Sequence, residues 1–189
     1  MPTLARMPRA FIIMIIRVIA ALVAGSGQPG PSREGGAVTE AALSPSQKAP
    51  APHSDRNLVI DNVIRGTTAE AIDVKEGTSR GVLARNTFDG SAMTDKGGDS
   101  WVDVKGNGWL VADNQGTSAP RDGYQTHEIV DGWGNKNIFA GNKASKINKV
   151  PQDGQGVGVG VRPALANVVT CTNTTVGGPA SNVECVKVS

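Results

Sequence analysis

The stretches VDVKGNGWLVADN (residues 102–114) and VDGWGNKNIFAGN (residues 130–142) decide the fold. They lie 28 residues apart without a gap and share Val, Asp, Gly, Asn, an aliphatic, Ala and Asn in register. LVADN at Asn114 and IFAGN at Asn142 have three partners: LVIDN at Asn62, VLARN at Asn86 and VTCTN at Asn173. The spacings along this series are 24, 28, 28 and 31 residues. A repeat of this length, made of short strands and turns, cannot bury its apolar face alone. Copies stacked about 4.8 Å apart bury that face continuously.

A strand turns alternate residues to one face. Alternation predicts that Leu58/Ile60/Asn62, Val82/Ala84/Asn86, Leu110/Ala112/Asn114, Ile138/Ala140/Asn142 and Val169/Cys171/Asn173 all point the same way, inward. An inward Asn carries two donors and two acceptor lone pairs. Stacked on its copies, it satisfies backbone groups of the turn that are costly to bury alone. The expected architecture is all-β: a right-handed single-stranded parallel β-helix of about five rungs over residues 57–189. The handedness follows from the strong preference of parallel crossovers.

The rest of the composition agrees. Aromatic residues are 4% and charged residues 19%, with 24 glycines, which suits a narrow core and tight turns. A net charge of +2 with no basic block argues against nucleic acid as a partner. Arg6 and Arg9 precede an apolar run at residues 10–24, followed by small residues, the parts of a secretory signal. Arg17 interrupts that run, so residues 1–26 are expected to be a signal peptide or an uncleaved membrane anchor. Either way the protein is placed outside the cell or on its surface. Residues 27–56 are rich in Pro, Gly, Ser and Ala and read as a flexible linker. Cys171 and Cys185 are an even pair, which in an exported chain favours a disulfide over a two-thiol metal site. The bridge closes a loop of about 15 residues, worth about 3 kcal/mol in the chain-entropy model.

The Asn-ended strands, DVKGN (103–107), DGYQTHEIVDGWGNKNIFAGN (122–142) and the Cys pair in VVTCTN…SNVEC resemble right-handed parallel β-helix proteins of the pectate-lyase-like superfamily (pectin lyase fold), particularly exported actinobacterial ones. The likeness covers residues 57–189. It implies a polysaccharide partner. Members include polysaccharide lyases, glycoside hydrolases and epimerases, and also non-catalytic surface proteins. Such proteins usually carry more rungs and an N-terminal cap, so this chain is expected to be a shortened relative.

Chemistry is expected on the outer face. In VDVK, Val102 and Val104 alternate with Asp103 and Lys105. The 28-residue register stacks Asp73, Asp103 and Asp131 in one column, with Lys75, Lys105 and Trp133 beside it. Stacked carboxylates raise a pKa or recruit Ca²⁺, so Asp73, Asp103 and Asp131 are the candidate metal ligands. Asp103, Lys105, His127 and Asp131 are the candidate catalytic residues, with Lys105 or His127 as a base removing a sugar-ring proton. Paired carboxylates also suit glycoside hydrolysis. Tyr124 and Trp133 are the candidate sugar platforms, with Trp101 and Trp109 the more structural pair. The bland reading is a set of solvated Asp–Lys pairs. Function is therefore read as binding or processing of an acidic polysaccharide, lyase-like if catalytic. A non-catalytic carbohydrate-binding solenoid or an inactive remnant is the alternative.

Overall fold

The computed structural model describes residues 53–94, 96, 98–148 and 156–188. The expected signal or anchor and nearly all of the linker lie outside the described residues. Among the described residues no helix is long and apolar enough to cross a membrane. The described residues begin four residues before the expected boundary. β1 (Ser54–Asp55) pairs with β5 (Thr78–Ser79), which brings the end of the linker into the fold.

Every strand pair is parallel, and the strands stack into three long sheets. The first holds β2 (Leu58–Ile60), β6 (Val82–Ala84), β9 (Leu110–Ala112), β12 (Ile138–Ala140) and β15 (Val168–Val169). The second holds β3 (Val63–Arg65), β7 (Thr87–Asp89), β10 (Gln115–Thr117), β13 (Lys143–Ser145) and β16 (Thr174–Val176). The third holds β4 (Ile72–Val74), β8 (Ser100–Val104), β11 (Asp122–His127) and β14 (Val159–Arg162). Five strands on two faces and four on the third make a parallel β-solenoid of about four turns.

The asparagine column is inside, as the repeat requires. Asn62, Asn86, Asn114 and Asn142 each donate from Nδ2 to Oδ1 of the next member, at 2.9–3.0 Å. Each also donates its backbone N–H to the same oxygen. The amides of Asn86, Asn114, Asn142 and Asn173 further reach carbonyls of the preceding rung at 2.8–2.9 Å. A second, shorter ladder closes the opposite corner. Asn137 Oδ1 accepts from Trp109 N, and Asn167 Oδ1 accepts from Asn137 N, both at 2.8 Å.

In the first four repeats the strand residues beside these asparagines face the other way from the expectation, whereas Val169 of the fifth is buried as expected. Leu58, Leu110 and Ile138 are 68, 37 and 42% exposed, whereas Leu83, Val111 and Phe139, at the middle of their strands, are fully buried. The cause is the residue before each Asn. Asp61, Arg85, Asp113 and Gly141 have φ of 60, 54, 53 and 66°. One left-handed residue breaks the two-residue alternation, so the Asn turns inward beside the middle residue of its strand. At position 141 glycine takes this conformation without strain, and a Cβ there would displace the Asp113 carboxylate, 2.2 Å away. The fifth repeat departs further. Val169 pairs with Phe139 and Asn173 with Asn142, so the corner between them carries one extra residue.

Inward residues of the three sheets meet in one narrow core. Trp101, Phe88 and Tyr124 pack at its centre, with ring centroids 5.4–6.5 Å apart. Gly116 leaves the space for Trp101, and a Cβ there would lie 2.4 Å from the indole. The Cys171–Cys185 disulfide is formed, with Cα atoms 4.9 Å apart. It fixes a tail that covers the last rung, since Val159 N donates to Ala180 O and Val186 N to Val169 O.

Asn114 is the test of this frame, because its side chain holds four buried hydrogen bonds. Asn114→Ala should lower the unfolding free energy in urea by about 3 kcal/mol. A change under about 0.5 kcal/mol would mean that the ladder carries no weight.

Candidate functional site

The third sheet carries the chemistry on its outer face. Val102 and Val104 of β8 are buried in the core, so Asp103 between them points out. Across the ladder Asp73 pairs with Asp103 and Asp103 with Gln125. The third member of the column is therefore Gln125, and the fourth is Gly160 of β14. Asp131 is not in it.

The register explains this correction. Along β11 each residue lies 22 positions after its β8 partner, whereas Asn135 bonds Asn107 across 28. Six extra residues, 128–133, are accommodated between those two points. They leave the ladder as a loop that starts at His127 and returns at Gly134, whose N–H donates to Lys105 O at 3.0 Å. Asp131 and Trp133 belong to this loop, and Asp131 is exposed. Matching VDGW to VDVK placed the loop where the strand belongs, because the true strand DGYQTH puts Tyr124 and Thr126 in the inward places of Val102 and Val104. The glycine-valine alternation of β14 (Val159–Arg162), which pairs with Tyr124 through His127, was the signal for it.

Lys105 Nζ lies 2.7 Å from Asp73 Oδ1 and 2.7 Å from Asp103 Oδ2. Its ammonium sits between the two carboxylates, and Lys75 also pairs with Asp73. The expected Ca²⁺ trio is thus divided: two members are neutralised by lysine and the third is in the loop. Among the described residues no group of three His, Cys, Asp or Glu side chains is placed to hold a metal ion. These residues do not fit a divalent cation.

His127 does converge with Asp103. Its Nδ1 lies 3.0 Å from Asp103 Oδ2. The Asp103 side chain is 3% exposed and the imidazole 31%, so the carboxylate is sheathed and the ring reaches the surface. An ionised Asp103 fixes the tautomer with the proton on Nδ1, which leaves Nε2 as an acceptor with no hydrogen-bond partner among the described residues. Burial opposes the charge on Asp103, but His127 and Lys105 outweigh it and hold the carboxyl below its ordinary range. Burial opposes the charge on Lys105 too, yet Asp103 and Asp73 raise its pKa well above that of a free lysine. Lys105 therefore stays an ammonium and is no base. The hydrogen bond that His127 donates to Asp103 raises the pKa of the imidazole against the effect of burial.

Five further residues belong here that the sequence did not single out: Glu70, Asp99, Asp122, Gln125 and Arg162. Glu70, half-buried and packed against the backbone of Gly98, has its pKa raised by burial and then by the charges of Asp103, Asp73 and Asp99. Gln125 donates to Asp99. Its Oε1 and Asp103 Oδ1 are buried acceptors without a partner among the described residues. Arg162 stands next to His127 across the ladder and pairs with buried Asp122. Only a three-rung register brings these groups together. Tyr124, in contrast, is fully buried and its OH reaches Lys143 O. It is a core residue and no sugar platform.

No family model matches the chain, and no curated protein matches it. Among solved structures it is similar to an alginate lyase from Paenibacillus sp. str. FPU-7, with 27% identity and a TM-score of 0.58. The two share a β-helix fold. The match covers 68% of this chain and 43% of the enzyme, so the chain spans less than half the length of that lyase.

The dyad is open to titration. In imidazole NMR His127 should titrate above the ordinary histidine value, and Asp103→Asn should bring it down, since burial alone disfavours the cation. An unmoved midpoint in the variant would show that the 3.0 Å contact is not formed in solution.

Proposed function

We propose that this protein is an exported, lyase-like enzyme that cleaves an acidic polysaccharide on the outer face of the third sheet. The observation that carries the reading is the His127–Asp103 dyad. It places an acceptor nitrogen at the surface of a sheet that also carries Lys75, Lys105 and Arg162, in a fold similar to that of an alginate lyase. The disulfide suits an oxidising compartment outside the cytosol.

The chemistry is a β-elimination on a uronate. Neutral His127 Nε2 takes the proton from the sugar carbon next to the carboxylate. The released electron pair forms the new C=C bond, and the bond from the adjacent carbon to the glycosidic oxygen breaks. That oxygen leaves with a proton, which we assign to Glu70, the carboxyl of the cluster whose pKa is raised. Lys105 and Lys75 place positive charge where the substrate carboxylate gathers negative charge. Asp103 orients the imidazole and stabilises the imidazolium that forms.

A second reading has its own observation. The outer face of the second sheet holds a groove of about 360 Å³ lined by Thr87, Gln115, Thr117, Lys143, Ser145 and Thr174. Hydroxyls and amides in rows favour a carbohydrate-binding solenoid without catalysis.

A panel of alginate and other uronate polymers, followed by the absorbance of unsaturated chain ends, separates the two. At least one polymer should give a rising signal, with a rate that climbs as pH passes upward through the raised pKa of His127, because only the neutral ring accepts a proton. His127→Gln should slow it at least about 100-fold. A flat trace on every polymer, or an unimpaired variant, would remove the lyase reading.

A further inference from the structure

The six-residue loop 128–133 has no counterpart in the rungs below it, where β8 passes directly into Gly106. It begins at His127, the proposed base, and ends beside Lys105, the cation of the same cluster. The loop is pinned at several points. Gly132 N donates to Glu128 Oε1 and Trp133 N to Val130 O, each at 3.0 Å. Asn107 Nδ2 donates to Gly132 O at 2.9 Å. Residues 128–133 thus form a set turn directly after the histidine of the dyad, tied to the neighbouring rung at Gly132 and Gly134.

Trp133 is the last residue of that turn. The chain has three tryptophans. Trp101 and Trp109 are 0 and 2% exposed and fill the core, whereas Trp133 is only partly buried. The ring of His53 lies against it, with centroids 6.2 Å apart and planes tilted by 35°. His53 arrives from the start of the described chain and braces the indole from outside the rungs. Pinned backbone on one side and a second ring on the other give the indole a set orientation at low entropic cost on binding. The apolar face of a pyranose ring is the chemical partner of a flat, partly exposed indole.

Resting on the lyase reading of the same face, we propose that the loop is a sugar-binding wall. Trp133 stacks on the pyranose ring adjacent to the one that reacts, and His53 holds the indole in place. The polymer then runs along the third sheet with one residue over His127 and its neighbour against Trp133. This is a subsite for binding and positioning, so its loss acts on affinity and leaves the proton transfer intact.

The test uses the full chain. Steady-state kinetics on the polymer turned over fastest should show Trp133→Ala raising KM by about tenfold, with kcat within about twofold. Trp133→Phe should recover most of the loss. An unchanged KM in Trp133→Ala, with the parent enzyme active, would overturn the platform and leave the lyase reading standing. Tryptophan fluorescence decides the matter if no polymer is cleaved. Oligomers of the same uronates should shift the emission of the parent protein and leave Trp133→Phe unmoved, because the two remaining indoles are sealed in the core. Emission that stays constant with every oligomer, or that shifts equally in Trp133→Phe, would overturn the proposal.

Discussion

The rest of the structure depends on one hydrogen-bonding constraint. At the same corner of four successive rungs, a residue in the left-handed region is followed by an asparagine that turns inward. Each Asn Oδ1 along the ladder receives a backbone N–H and a side-chain N–H from its neighbour. The left-handed residue costs about 1–2 kcal/mol where it is not glycine, and Arg85 occupies one such place. The ladder offsets that cost, since a buried amide with every donor and acceptor used is rigid as well as stable. The corner then sets the phase of everything after it, including which residues of the second and third sheets point out.

That phase is why the outer face of the third sheet holds a partly buried, coupled cluster and not a row of solvated charges. Asp103 is nearly sealed from water by Lys105, His127 and the rungs on either side. In such a place an ion pair is weak evidence for stability, because desolvation consumes much of the attraction. It is better evidence for a site. The cluster keeps one lysine charged and lifts both a histidine and a carboxyl toward neutral pH. Both shifts come from burial and charge within one patch, the pattern that marks candidate sites.

Part of this was legible in the sequence. The asparagine series and the near-copy at residues 102–114 and 130–142 give the solenoid, its period and the inward amides. The facing of Leu110 and Ile138 was not legible, because alternation assumes extended backbone and Asp113 and Gly141 are not extended. Asp73 and Asp103 were brought together correctly, since IDVK and VDVK match without a gap. Asp131 was misplaced because composition cannot tell a strand from a loop with the same letters, and Tyr124 and Thr126 hid the strand that replaced it. Glu70, Gln125 and Arg162 carry no local motif. Their role exists only once three rungs are in register.

The central claim is that function sits on the outer face of β4, β8 and β11. Chemical-shift mapping of the isotope-labelled protein with a short uronate oligosaccharide tests it most directly. The expected result is that perturbations concentrate on Asp73, Lys105, Gln125 and His127. Shifts confined to Thr87, Gln115 and Lys143 on the second sheet would contradict it and move the binding site to the other face.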